Sequence, residues 1–295
     1  MPWADDAGAP TLAGDPPPRG SFGIVGLGRM AQALLFPLIN DGVIDPATVR
    51  AAVASDSSAR QLAEAHGLAV STDPGAAWGC STVLLAVKPQ QLESVAVAAS
   101  RAAAIPNDLG VAGSAQLEPP LLLSVLAGVR LERLEALFPG WVCVRAVPNT
   151  PCLVRSGLTG LAWGQGIDPQ RQDWVRGLFA RGGEVVELPE GQLDAFLALT
   201  SSGPAFVALV AEALADGAVA AGLPRVQAQH LAHRTLAGTA ALLHERELHP
   251  GQLKDMVSSP GGTTIAGLRE LERAGLRSAL IEAVLAAATR SRELA

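Results

Sequence analysis

The sequence predicts an α/β fold in two parts, a doubly wound parallel sheet followed by an all-helical region. Three observations carry this. Thr82–Val87 and Leu121–Leu126 are near-continuous apolar runs, as strands covered on both faces are. Such runs alternate with helical periodicity to about residue 190, the pattern of parallel strands joined by crossover helices. From Leu193 the pattern turns helical, broken only at Thr200–Ala205 and Leu253–Thr264. The expected organisation is a disordered Pro-, Gly- and Asp-rich tail at 1–20, an α/β domain at 21–190, and an all-α domain at 191–295.

Composition bounds the function. Of 295 residues, 49% are apolar, ample for packed cores. The net charge of −6, with no basic run, argues against nucleic acid or an anionic membrane surface as partner. No uninterrupted apolar run approaches the ~18 residues of a spanning helix, so no membrane segment is expected. There is no basic-then-apolar leader, and Cys80, Cys143 and Cys152 lack metal-ligand spacing. They read as reduced thiols in a cytoplasmic protein, with no metal expected.

In chain order, Phe22–Val25 is a strand candidate, followed by Gly26-Leu27-Gly28-Arg29-Met30-Ala31 and a helical pattern through Leu34, Leu35, Leu38 and Ile39. Strand, Gly-rich turn and helix together are the context of a dinucleotide-binding fingerprint of Rossmann type. Gly26 permits the tight turn, Gly28 lets a pyrophosphate reach the backbone, and Ala31 lets helix and strand pack. A second strand, Thr48–Ala54, ends at Ser55-Asp56-Ser57-Ser58, where a ribose would lie. Hydroxyls with Arg60 suit a 2′-phosphate and Asp56 suits a free ribose, so NADP and NAD both stay open; Arg60 reads equally well as a solvated helix residue. A helix at Ala59–His66 and a strand at Leu68–Ser71 follow. Thr82–Val87 ends in Lys88-Pro89, placing Ala86, Val87, Lys88 and Pro89 at the nicotinamide side. Ala103–Pro120 has no periodicity and reads as a mobile loop. Leu121–Leu126 ends in Ala127-Gly128, and Val142–Ala146 leads into Val147-Pro148-Asn149-Thr150-Pro151. Helices are expected at Leu131–Leu137 and Pro169–Ala180, with further strands at Gly160–Trp163 and Glu184–Glu187.

In the helical region, Pro204–Ala221 and Pro224–Glu245 are apolar on more than one face. A single layer of such helices has no core of its own, so an interleaved dimer is expected. The stretch Leu253–Leu268, LKDMVSSPGGTTIAGL, breaks this pattern. Pro260 should end a helix, Gly261 and Gly262 leave amides uncovered, and Thr263 or Thr264 can cap a helix running from Ile265. That combination seats a small anion such as a carboxylate.

These pieces strongly resemble the pyrroline-5-carboxylate reductase family. The resemblance runs from Phe22 to Leu294 through FGIVGLGRM, LAVKPQ, SVLAGV, RAVPNTP, SSGPAFVALVAEALADG, GLPR and HPGQLKDMVSSPGGTTIAGL. It implies an N-terminal Rossmann-type domain and a C-terminal dimerisation domain that interlocks with a second copy, a decamer being a further expectation. It implies NADPH-dependent reduction of the C=N bond of 1-pyrroline-5-carboxylate to L-proline, the final step of proline biosynthesis, with NADH as the alternative coenzyme. By the resemblance, Val25, Gly26, Leu27, Gly28, Arg29 and Met30 hold the pyrophosphate. Ser55, Asp56, Ser57 and Ser58 meet the adenosine ribose. Ala86, Val87, Lys88, Pro89, Val125, Leu126 and Ala127 line the nicotinamide half, with Asn149 also at the cofactor. Ser259, Gly261, Gly262, Thr263 and Thr264 take the substrate carboxylate, the Thr264 hydroxyl facing the imine nitrogen as the catalytic donor. The family's site combines elements of two subunits.

Departures are Asp73 for a family Asn near the ribose, Val147 for Met, Phe206 for Tyr, Met256 for Asn, and a longer 103–120 loop. His230, His233, His244 and His249 read as surface or helix-end residues. Glu212 and Asp216, one helical turn apart, read as polar neighbours in a dimer core. The rivals are a 3-hydroxyacid dehydrogenase, whose catalytic lysine only Lys254 could supply, and a non-catalytic NADP-binding sensor.

Overall fold

The computed structural model describes residues 21–103 and 118–294. The expected tail at 1–20 and nearly all of the expected loop lie outside them. Contacts divide the chain into two units, one running to Ser201 and regaining the chain from Ala288, the other Ser202–Ala287.

In the first unit, the elements to the middle of the sheet are β1 (Phe22–Val25), α1 (Arg29–Asn40), β2 (Val49–Ala52), α2 (Asp56–His66), β3 (Ala69–Ser71), α3 (Gly75–Trp78), β4 (Thr82–Leu85) and α4 (Leu92–Ala103). Then come β5 (Leu121–Ser124), α5 (Leu131–Leu137), β6 (Val142–Pro148), β7 (Gly157–Trp163), α6 (Pro169–Ala180), β8 (Gly183–Glu187) and α7 (Leu193–Thr200). The eight strands lie in the order β3-β2-β1-β4-β5-β6-β7-β8. All neighbours are parallel except β6 and β7. The order runs outward in both directions from β1 and β4, which makes their C-terminal ends the switch point where ligands bind in open α/β sheets.

The core follows from the apolar runs. β1, β4 and β5 are buried at every residue, and the two faces carry separate clusters. One gathers Ile24, Leu35, Leu123 and Val144, the other Leu85, Leu92, Leu122 and Phe138. The expected doubly wound sheet is present, with small corrections at its ends. β2, β4 and β5 each stop two residues early, Val53, Ala86 and Val125 giving one last bond to the neighbouring strand before the chain turns away. α2 begins at Asp56 rather than Ala59, because Ser55 caps it by accepting from the Ser58 N–H at 3.3 Å. α4 was not foreseen, and its last residue, Ala103, opens what reads in the sequence as a loop.

The second unit holds α8 (Gly203–Ala220), α9 (Arg225–Glu245), α10 (Pro250–Met256), α11 (Thr263–Arg273) and the first turns of α12 (Leu276–Glu293). Its buried apolar set is Ala211, Ala215, Ala228 and Ala232, while Val207, Leu209, Leu214, Val226 and Leu231 are exposed. Asp216 pairs with Arg225 at the surface of this unit. Within Glu190–Ala220 an 18-residue stretch reaches a mean hydropathy of 1.6, enough by length and composition alone to cross a membrane. The sequence expectation concerned an uninterrupted apolar run, and Asp194, Glu212 and Asp216 do interrupt this one.

Two predictions follow from the packing of the sheet. Gly183 has φ +141°, and a Cβ there would lie 2.0 Å from the Gly157 carbonyl across the β7–β8 pair. Gly183→Ala should therefore cost about 2–4 kcal/mol, read as a fall in the thermal midpoint. Cys143 is fully buried, and burial first, with the Glu135 carboxylate second, pushes its thiol pKa up to about 12. The folded chain keeps this proton longer than the unfolded chain. Stability is thus full below the unfolded thiol's pKa of about 8.5 and declines as pH rises towards the folded value. Urea midpoints between pH 8 and 10 should show that decline, and Cys143→Ala should flatten it.

Candidate active site

The geometry starts where β1 leaves the sheet. Its neighbours β2 and β4 hold it on both sides, with Val25 opposite Ala52 and Leu85. The Gly26 N–H donates to the Ala52 carbonyl at 2.9 Å, and the Ala86 N–H to the Val25 carbonyl at 2.8 Å. The chain then turns at once, with Gly26 at φ +96°. A Cβ on Gly26 would lie 2.7 Å from the Ala86 carbonyl oxygen, so only glycine fits. Leu27 is buried, and its carbonyl accepts from Gln32 Nε2 at 3.0 Å. Gly28 is the N-cap of α1 and offers no side chain to cap it; a Cβ there would meet nothing within 4 Å. The first-turn amides of α1, with no acidic residue among them, therefore face open space at the positive end of a helix. This cradle fits the pyrophosphate of a dinucleotide.

A cleft of about 660 Å³ opens over this turn. Val25, Gly26, Leu27, Gly28, Arg29, Ser58, Ala86, Val87 and Lys88 line it, all expected positions. Val25 and Leu27 have buried side chains and so offer mainly their backbone. Met30 packs on the core, leaving its first-turn amide. The cleft also takes in Val53, Gln61, Leu62, Ala65, His66, Thr72 and Pro74, which were not singled out from the sequence. Ser58, Gln61, Leu62 and Ala65 form one face of α2, a spacing that was readable in the sequence.

At the ribose end, Ser55 Oγ lies 3.1 Å from Ser57 Oγ and 3.0 Å from Ser58 Oγ. Asp56 Oδ1 accepts from the Thr72 hydroxyl at 3.1 Å, and Asp73 Oδ1 from the Gly75 N–H at 3.0 Å. Arg60 Nε turns back to the Asp56 carbonyl at 3.4 Å, as a helix-surface residue does. Of the serines only Ser58 lines the cleft; Asp56 does not. Pro89 opens a short 3-10 turn past the cleft. After β5, Val125 is half-buried, Leu126 buried and Ala127 exposed, and none lines the cleft. Asn149 is buried with both ends of its amide engaged, Nδ2 donating to the Thr200 carbonyl at 3.0 Å and Oδ1 accepting from the Leu158 N–H at 2.8 Å. Its side chain ties β6 to β7 and α7.

The stretch expected to seat an anion lies in the second unit. α10 is capped by His249, whose Nδ1 accepts from the Gly251 N–H at 3.0 Å. That helix ends at Met256, and Gly261 takes φ +68°. Gly262, not a threonine, is the N-cap of α11, because its N–H bonds the Ser259 carbonyl at 2.9 Å and holds it one residue before the helix. Thr263 and Thr264 are the first helical residues, which corrects the expected cap and start. Neither hydroxyl is drawn into capping, and no acidic residue sits in the first turn. Ser259 Oγ would lie 2.4 Å from a Cβ on Gly262, and Ser258 Oγ is buried without a hydrogen-bond partner. Among the described residues no cluster of His, Cys, Asp or Glu could hold a metal ion.

A pyrroline-5-carboxylate reductase from Synechocystis is 45% identical over 274 residues, 92% of this chain and 97% of its own. One from Arabidopsis thaliana is 38% identical over 95% of this chain and 98% of its own. The chain belongs to the pyrroline-5-carboxylate reductase family. Residues 190–294 match the model for pyrroline-5-carboxylate reductase dimerisation. Residues 21–107 match the one described as NADP oxidoreductase, coenzyme F420-dependent. Among solved structures, the Plasmodium falciparum pyrroline carboxylate reductase with NADP bound superposes with a TM-score of 0.81 at 27% identity, covering 94% of this chain and 98% of that one. The Coxiella burnetii reductase does so at 0.79 and 30% identity, covering 94% and 98%.

Within this family frame, Gly26→Ala should weaken coenzyme affinity about ten- to a hundredfold, because the new Cβ meets the backbone of Ala86. Fluorescence titration with NADPH reads this. Unchanged affinity would mean the turn is not the pyrophosphate seat.

Proposed function

We propose that the chain reduces the C=N bond of 1-pyrroline-5-carboxylate to L-proline with NADPH, NADH being the alternative coenzyme. The observation that carries this reading is the pairing, in one chain of this family, of a helix-capping Gly28 cradle with an uncapped α11 N-terminus flanked by free hydroxyls. The first suits a pyrophosphate, the second a carboxylate. When bound, the coenzyme supplies the hydride.

In this reading the amides following Gly261, with Ser259 and Thr263, grip the substrate carboxylate and fix which ring face is presented. Thr264 stands one position into the helix, its hydroxyl directed to the imine nitrogen, where it stabilises the nitrogen as it becomes an amine. Positioning two bound molecules supplies most of the acceleration, since a protonated imine needs little further acid catalysis. Gly26–Met30 hold the pyrophosphate, Ser55–Ser58 the ribose, and Ala86–Pro89 with Val125–Ala127 the nicotinamide half. In this reading residues 21–190 bind the coenzyme, and 191–295 carry dimerisation and substrate binding, although Leu193–Ser201 and the chain from Ala288 pack with the first unit.

The exposed apolar residues of α8 and α9 are proposed to meet a second copy in an interlocked dimer, with a decamer as the larger assembly. That partner, rather than lipid, would cover the Glu190–Ala220 run, consistent with a cytoplasmic enzyme.

Purified protein given NADPH and pyrroline-5-carboxylate should consume the nicotinamide absorbance; no consumption with either coenzyme ends the reading. Thr264→Ala should lower turnover about ten- to a hundredfold while leaving the NADPH dissociation constant nearly unchanged. Loss of coenzyme binding instead would place Thr264 elsewhere.

A further inference from the structure

Among the described residues, Arg145 on β6 is the largest side chain buried below 2% exposure. Nothing in the chemistry above uses it. Its Nη1 donates to Glu190 Oε1 at 3.1 Å, and its Nη2 lies 3.7 Å from Asp194 Oδ1. Each acid has a second task. Glu190 Oε1 also accepts the backbone N–H of Leu131, the first residue of α5, at 2.7 Å. Asp194 Oδ1 also accepts the hydroxyl of Ser291, in the last turn of α12, at 2.7 Å, with Asp194 and Ser291 both buried. Three residues further on, Leu294 lies against Gly128, where an added Cβ would stand 3.0 Å from the Leu294 Cβ. Gly128 is at φ +74°.

These contacts converge on one short segment. The turn after β5, Val125–Arg130, is met by Leu294 at Gly128 and is held at its exit by Glu190 through Leu131. Arg145 lies between the two acids and sits on the strand paired with β5, Ser124 being opposite it. We propose that Ser291, acting through Asp194, Arg145 and Glu190, and Leu294, lying directly against Gly128, position the Val125–Ala127 turn against the nicotinamide half of the coenzyme. This rests on the coenzyme assignment made above. The chain's last turn is thus a positioning element for the active site, and none of these five residues touches a reacting atom.

A buried carboxylate accepts the Ser291 hydroxyl, so an apolar replacement leaves Asp194 short of a donor and frees the end of α12. The turn then loses its stop at Gly128. Misplacement of a positioning element by about 1 Å can cost up to about a hundredfold in rate. Steady-state kinetics of Ser291→Val, Ser291→Thr and a truncation after Glu293 test this. The KM for NADPH should rise about five- to tenfold in Ser291→Val and in the truncation, with kcat also reduced and the KM for the imine unchanged. Ser291→Thr, which keeps the hydroxyl, should restore wild-type values. The truncation removes no buried polar group, so it carries the test should Ser291→Val fail to fold. A lower thermal midpoint with unaltered kinetic constants would show a purely structural tie and overturn the proposal. So would a rise confined to the KM for the imine. Wild-type protein inactive with both coenzymes would instead count against the proposed reaction.

Discussion

The coenzyme end of this fold depends on the close crossing of two strand exits. β1 and β4 are paired in register to their last residues, so their chains leave the sheet level with each other. Two backbones cannot turn upward through the same space unless one lacks a side chain. Gly26 meets this condition at φ +96°, and its N–H stays bonded to β2 while the chain swings into α1. A second glycine on the same strand does comparable work below, since a Cβ on Gly23 would strike the Ala77 carbonyl at 2.2 Å. With both exits so close, the N-terminus of α1 points over the switch point of the sheet, and the cleft opens there.

The apolar strands were legible because burial on both faces leaves few polar residues in the run, Thr82 and Ser124 being buried exceptions in β4 and β5. Their ends were not, because Val53, Ala54, Ala86 and Val87 are as apolar as the strands they follow, though they already belong to the cleft. α4 escaped notice for a related reason. Leu92, Ala96 and Ala99 are its buried face, but the residues between them include Val95, Val97 and Ala98, so the contrast between faces is weak. The glycine turn was readable by its spacing. The threonines were misread because a capping residue is chosen by backbone position, and Gly262 occupies that position by bonding back to Ser259. Asn149 carries a second role that its place at a strand's C-terminal end did not reveal: it satisfies the buried Thr200 carbonyl and Leu158 amide.

The helical unit shows what a chain looks like when its core is not its own. Ala211 and Ala215 on α8, and Ala228 and Ala232 on α9, recur at one-turn spacing and bring the two helices close. Alanine methyls bury little area, far less than the leucines and valines left exposed on the same helices. A pair of helices with that balance has more apolar surface outside than in, and patches of this kind mark association. The match of residues 190–294 to a dimerisation model accords with that physical reading.

Arg145 raises the opposite question, why a charge should be kept where a large apolar residue would pack. Its Nε and Nη2 have no hydrogen-bond acceptor, so the desolvation of the guanidinium is only partly offset. A leucine or methionine of similar size would fill the space without that cost. An apolar side chain, however, contacts its neighbours without direction, and would leave Glu190 and Asp194 free to rotate. A planar guanidinium with one acid on each side fixes both carboxylates, and each carboxylate then holds one backbone or hydroxyl donor in turn. The group is poorly suited to stabilising the fold and well suited to orienting it. Orientation is what the turn after β5 requires, because glycine at position 128 gives that turn no stiffness of its own.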